Sequence, residues 1–97
     1  MRGGWVYIMA DRYRGATYIG VTADLAARVY AHRHGRGSAH VRKYCLLRLV
    51  HAEPYETIDE AIAREKAVKK WNRAWKIRLI EEGNPDWLDL YEHVIGA

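Results

Sequence analysis

Five side chains in this sequence could do chemistry together. Tyr7 and Tyr18 bring phenols, Arg28 a guanidinium, His32 an imidazole and Glu65 a carboxylate. An imidazole takes or gives a proton near neutral pH. A phenol, with an ordinary pKa near ~10, is a poor base there without help. A guanidinium fork fits two oxygens of an anion. Proton transfer beside a bound anion is the chemistry such a set would serve, provided the fold brings it together.

The elements that must do so can be read in order. Trp5-Val6-Tyr7-Ile8-Met9 and Thr17-Tyr18-Ile19-Gly20-Val21 flank a polar turn, Asp11 to Gly15, which is the layout of a β-hairpin. Alternation puts Val6 and Ile8 on one face and Trp5, Tyr7 and Met9 on the other; Tyr18 lies opposite to Ile19. Whether Tyr7 and Tyr18 are neighbours depends on the pairing register, which the sequence leaves open. Thr22 or Asp24 can cap a helix that follows. Leu25, Ala26, Val29 and Tyr30 read as its buried stripe, with Arg28 and His32, four apart, on one face beside it. The glycines of Gly35-Arg36-Gly37-Ser38 end it.

Cys45 to His51 is a third strand, closed by Glu53-Pro54. Thr57 and Glu60 form a capping box for a helix reaching about Trp71. Ile58, Ala61, Ile62 and Val68 make its apolar stripe, and Glu65 sits in the middle of that stripe. A buried, uncompensated carboxylate costs several kcal/mol. Three explanations fit: a divalent metal, an ion pair with Arg28 or another base, or an open cleft edge. A further helix runs from Arg73 or Ala74 to Glu82, stopped by Gly83. Asn84 then caps a short last helix with Pro85 in its first turn, pinned by Trp87, Leu88, Leu90 and Tyr91. Trp71, Trp75 and Trp87 read as packing residues.

Composition sets the frame. The 97 residues suffice for one domain, 1–97, with a modest core, and 49% apolar content is globular and not disordered. One cysteine, Cys45, excludes an internal disulfide and a cysteine-rich zinc site. No apolar run approaches the ~20 residues of a membrane span. The start of the chain lacks a signal-peptide core, so a cytoplasmic location is the expectation. The net charge is only +4, yet no acidic residue lies between Asp24 and Glu53. That window holds Arg28, Arg33, Arg36, Arg42, Lys43 and Arg48, while Glu81, Glu82, Asp86, Asp89 and Glu92 crowd the C-terminal part. Such segregation is the electrostatic footprint of phosphate binding, or else marks a solvated loop that carries its cations for solubility alone.

Tyr18-Ile19-Gly20, followed by Arg28, His32 and Glu65, resembles the GIY-YIG nuclease superfamily. The second half-motif is intact; the first, Trp5-Val6-Tyr7, keeps only its tyrosine. The ending Lys69-Lys70-Trp71, Lys76-Ile77, Leu79-Ile80 and Asn84-Pro85-Asp86-Trp87 looks like the small stand-alone bacterial members, so the likeness covers nearly the whole chain. It agrees with an α/β (α+β) fold: a small three-stranded antiparallel sheet flanked by helices, in the order β-β-α-β-α-α-α. It implies a metal-dependent DNA endonuclease of low sequence specificity, acting on single-stranded or structured DNA in repair or recombination.

By the same resemblance Tyr7 helps deprotonate the attacking water and His32 accepts or orients its proton. Tyr18 hydrogen-bonds the phosphate or the water, Arg28 neutralises the scissile phosphate, and Glu65 holds Mg²⁺ (or Mn²⁺). Arg33, Arg36, His40, Arg42, Lys43 and Asn84 are the candidate nucleic-acid contacts; Asn72 and Asn84 both loosely match an asparagine that many members carry. A small unit without appended modules is expected to read few bases. The rival readings are a non-catalytic nucleic-acid-binding module using the window from Arg28 to Arg48, and a protein-interaction unit whose acidic C-terminal part meets a basic partner.

Overall fold

The computed structural model describes residues 3–35 and 45–95, the side chains of 94 and 95 excepted. In chain order these form β1 (Gly4–Ala10), β2 (Thr17–Thr22), α1 (Leu25–Arg33), β3 (Arg48–Tyr55), α2 (Ile58–Lys69), α3 (Arg73–Gly83) and α4 (Tyr91–Ile95). The strands make one antiparallel sheet in the order β2-β1-β3. Both the sheet and the element order are those expected.

The hairpin turn is closed by its own side chain and then tied down. Asp11 Oδ1 accepts the Ala16 N–H at 2.8 Å. Arg14, in the left-handed region at φ 51°, lays its fork on Glu81 of α3 at 2.7 and 2.8 Å. Arg73, also on α3, donates to the Arg14 and Gly15 carbonyls at 2.6 and 2.9 Å. Helix starts are capped as their sequences require. Asp24 accepts from Ala27 at 3.1 Å and Asn72 from Trp75 at 2.9 Å. Thr57 and Glu60 exchange both bonds of the capping box.

The central strand, β1, is buried on both faces, and alternation divides its side chains between two cores. Val6, Ile8 and Ala10 join Ile19, Val50, Ala61, Val68, Ile80 and Trp87 under α2 and α3. Tyr7 and Met9 join Leu49, Leu46, Leu25 and Val29 under α1. A register shift against β3 between Ile8 and Met9 leaves Val50 as the extra residue, so that the consecutive Val50 and His51 both lie on the face of Ile8.

Three expectations need correction. On α1 the buried line is Leu25, Val29 and His32, whereas Tyr30 is exposed with its ring on that of His34. Residues 25, 29 and 32 fall on one side of a 3.6-residue repeat and residue 30 is turned about 100° from its neighbour, so His32 belongs inside the stripe and not beside it. β3 begins at Arg48 and continues through Pro54 to Tyr55, which an outer strand of a sheet tolerates. The last helix begins only at Tyr91, because Asn84 closes the C-terminus of α3 and opens no helix.

Asn84 instead shapes the irregular stretch 84–90. Its Oδ1 accepts from Leu88 N–H at 3.0 Å, and its Nδ2 donates to the Leu88 and Val50 carbonyls at 2.8 and 3.1 Å. Trp87 is carried into the core at φ 56°. There its carbonyl accepts from Arg48 at 2.9 Å and its indole donates to Glu81 at 2.8 Å. Trp71 packs against the same core, but Trp75 is 52% exposed, meeting Trp71 edge-on. Asn84→Ala strands backbone groups of Val50 and Leu88, and is expected to lower the unfolding free energy by about 2–4 kcal/mol in urea denaturation.

Candidate active site

Hairpin register decides the site. Tyr7 stands opposite Gly20, and Met9 opposite Tyr18. Tyr7 and Tyr18 are therefore diagonal neighbours on the face covered by α1, with ring centroids 6.3 Å apart. Glycine at position 20 is a steric demand. A Cβ there would lie 2.4 Å from the Tyr7 hydroxyl and 2.5 Å from its ring carbon. The Tyr7 ring thus crosses the β2 backbone through the space that a side chain would fill.

On α1, His32 is positioned by the same Leu25–Val29–His32 line that packs the helix. Its Nε2 lies 2.9 Å from the Tyr7 hydroxyl in a buried hydrogen bond. Its ring centroid is 5.7 Å from those of both Tyr7 and Tyr18. His32 Nδ1 is buried and has no hydrogen-bond partner among the described residues. Burial, and then the charge of Arg28, hold the imidazole below its ordinary pKa, so it is neutral near pH 7 and able to accept a proton.

Tyr7 is pushed up to about 12, first by burial and then by Tyr18. The positive charge of the Arg28 guanidinium acts in the opposite sense. The Glu65 carboxylate also acts on Tyr7, raising it, which places its charge within electrostatic reach of the same phenol. Arg28 itself is exposed. A basic group at the surface therefore looks onto a phenol–imidazole pair sealed beneath it.

Glu65 answers the question posed by its place in an apolar stripe. Ala61 and Val68 of that stripe are fully buried. The Glu65 side chain is 12% exposed and is compensated by Lys69, one turn on, whose Nζ is 2.7 Å from Oε2. Lys69 is 51% exposed, so the partner of a nearly buried anion stands largely in water. Among the described residues no three His, Cys, Asp or Glu side chains cluster to hold a metal. A single carboxylate leaves most of a coordination shell to water and substrate oxygens. That donor set fits Mg²⁺ or Mn²⁺ and not a closed zinc site.

Of the proposed surface contacts, Arg36, His40, Arg42 and Lys43 lie outside the described residues. Arg33 is committed elsewhere: it forms an ion pair with Asp89, and its guanidinium sits 4.8 Å over the Tyr91 ring, joining α1 to the C-terminal segment. Asn84 is 6% exposed with its amide spent on backbone groups, and the expectation of a nucleic-acid contact there is withdrawn. Asn72 caps α3. Two functional features escape a reading of residue order: the steric role of Gly20, and Lys69 as the partner of Glu65. The spacing of four was visible for the second; the first needed the register.

Two measurements check this geometry. Gly20→Ala should cost about 1–3 kcal/mol in urea denaturation, because the added methyl overpacks against Tyr7. Acid should weaken the fold in two separate windows. His32, held low, contributes stability that is present above about 6.5 and lost as pH falls through its depressed pKa. Glu53 feels an upward push from burial, but hydrogen bonds from His51, Arg64 and Tyr55 hold it at about 2, so its contribution is lost only below its ordinary 4.5. Denaturation at pH 7.5 and 5.5 should show a loss that His32→Gln diminishes.

Comparison with known proteins agrees with the geometry. The sequence profile of the GIY-YIG catalytic domain matches residues 3–78. UPF0213 proteins of Staphylococcus aureus strains Mu3, N315 and COL are each 40% identical to the chain over 68 residues, covering 70% of it and 83% of the relative. No solved structure matches the chain. Among the described residues no helix is long and apolar enough to cross a membrane. A profile spanning the hairpin, α1 and α2, together with relatives matched over most of their own length, establishes that this chain belongs to the GIY-YIG catalytic-domain family, a family of nucleases acting on nucleic acid with divalent metal ions.

Proposed function

We propose that this protein is a Mg²⁺- or Mn²⁺-dependent DNA endonuclease of low sequence specificity, acting on single-stranded or structured DNA in repair or recombination. The observation that carries the reading is the buried hydrogen bond between the Tyr7 hydroxyl and His32 Nε2, with the Tyr18 ring beside both and the charges of Arg28 and Glu65 felt by the same phenol.

Hydrolysis needs a proton taken from water as it attacks phosphorus. Tyr7 cannot act as a standing base, because a phenol held at about 12 keeps its proton near pH 7. It can hand that proton on. His32 Nε2, neutral and 2.9 Å away, accepts the phenol proton while Tyr7 accepts one from water. The tautomer that does this carries its own hydrogen on Nδ1. The Arg28 charge favours the phenolate formed in passing and meets the charge growing on the phosphate. Tyr18 borders the same space and orients phosphate or water. Glu65 would hold the dication, which when bound supplies Lewis-acid stabilisation of the leaving oxygen.

The groups assembled here address phosphate and protons; none is arranged to read base edges, and this supports low sequence specificity. Repair or recombination is the use that a weakly selective DNA-cutting activity would serve. The test is incubation of labelled single- and double-stranded DNA with Mg²⁺, Mn²⁺ or EDTA. Metal-dependent products are expected. Tyr7→Phe, His32→Gln and Glu65→Gln should each lower kcat about 10²–10⁴-fold, and the pH–rate profile should fall on the acid side as His32 becomes protonated. Tight binding without any metal-dependent product would favour the non-catalytic module instead.

A further inference from the structure

Lys69 has a second neighbourhood besides Glu65. With Lys76, Thr17, Tyr18 and Ile19 it lines an open hollow of about 310 Å³ against β2, one of the two outer strands of the sheet. Lys76 is drawn there by the C-terminus of α2: its Nζ donates to the Lys69 carbonyl at 3.3 Å, where the last carbonyls of the helix carry partial negative charge. Two lysines thus line a hollow to which no carboxylate among the described residues contributes, and Tyr18 belongs both to this hollow and to the catalytic cluster. Two lysines lining one open hollow suit an anion such as a phosphate.

Resting on the nuclease reading, we propose that Lys69 and Lys76 bind the nucleic-acid phosphate next to the one that is cut, and that Lys69 turns to it from Glu65 when a dication takes that carboxylate. The ion pair with Lys69 is then the resting state of the site. It keeps a nearly buried carboxylate compensated, and an exposed, flexible ammonium is a partner that can leave at little cost. Substrate and metal become coupled: the metal frees the lysine that the strand needs, and the strand holds the lysine away from the metal's ligand.

Two measurements test this without relying on cleavage. Mn²⁺ binding to the free protein is followed by electron paramagnetic resonance. Lys69→Gln should bind Mn²⁺ about two- to fivefold more tightly than wild type. Lys66→Gln, which removes the same charge from an exposed position outside the hollow, should gain less. Next, a fluorescein-labelled oligothymidylate is titrated over a range of KCl in a Glu65→Gln background, where the lysine has no carboxylate to hold it. Adding Lys69→Gln or Lys76→Gln should weaken binding about three- to tenfold and flatten the salt dependence by roughly 0.7 in log–log slope for each phosphate no longer neutralised.

Equal effects of the Lys66, Lys69 and Lys76 substitutions would overturn the subsite. Unchanged or weaker Mn²⁺ affinity in Lys69→Gln would overturn the exchange. The nuclease reading fails separately, if wild type gives no metal-dependent product while the lysine variants still show the flatter slope. A cutting wild type with unaltered slopes in the variants would sink the subsite alone.

Discussion

One buried hydrogen bond, from the Tyr7 hydroxyl to His32 Nε2, is the interaction that the site depends on. It joins the central strand to the helix that covers it. Everything needed to make it is a constraint on something else. β2 must present glycine where the ring crosses it. The hairpin must pair so that Gly20, and not a neighbour, faces Tyr7. α1 must be set so that its third buried position is a histidine. A slip of one residue in the pairing would turn Tyr18 to the opposite face and dissolve the cluster.

The rest of the molecule can be understood as holding that register. The turn between β1 and β2 is fastened to α3 by the Arg14–Glu81 fork and by Arg73. Glu81 is held at about 2, mainly by Arg14 and then by the Trp87 indole, so one carboxylate joins hairpin, helix and C-terminal stretch. On the far side, Asn84 and Arg48 stitch the irregular residues 84–90 onto β3. The two cores are separated by the sheet, so the one under α2 and α3 can be packed with aliphatic residues and Trp87, leaving the α1 side free to enclose polar rings.

Much of this was legible from residue order. Hairpin, helix spacing and capping box follow local rules, and the sheet with its flanking helices follows from them. The five candidate groups could be named as residue types at family spacing, and of these the structure joins Tyr7 to His32 and sets the Tyr18 ring beside them. What could not be read were facts of register and of distance along the chain. Nothing in Trp5–Met9 says which residue of β2 it faces, so the role of Gly20 was hidden. Tyr30 looked like a core residue because an aromatic at helical spacing usually is one, and His32 looked polar; only the phenol opposite gives an imidazole reason to lie inside. Asn84 resembled a helix opener beside Pro85, and its actual partners, Val50 and Leu88, include one 34 positions away.

His32 Nδ1, buried and without a hydrogen-bond partner among the described residues, carries a consequence for how such a domain can change. A buried polar nitrogen left without a partner costs on the order of 1–3 kcal/mol. Drift toward a sturdier molecule would therefore press position 32 toward an aliphatic side chain, and would reach that sturdiness by giving up the proton acceptor. On the proton-transfer reading proposed above, the residue at this one position would separate working catalysts from domains that have kept the architecture alone.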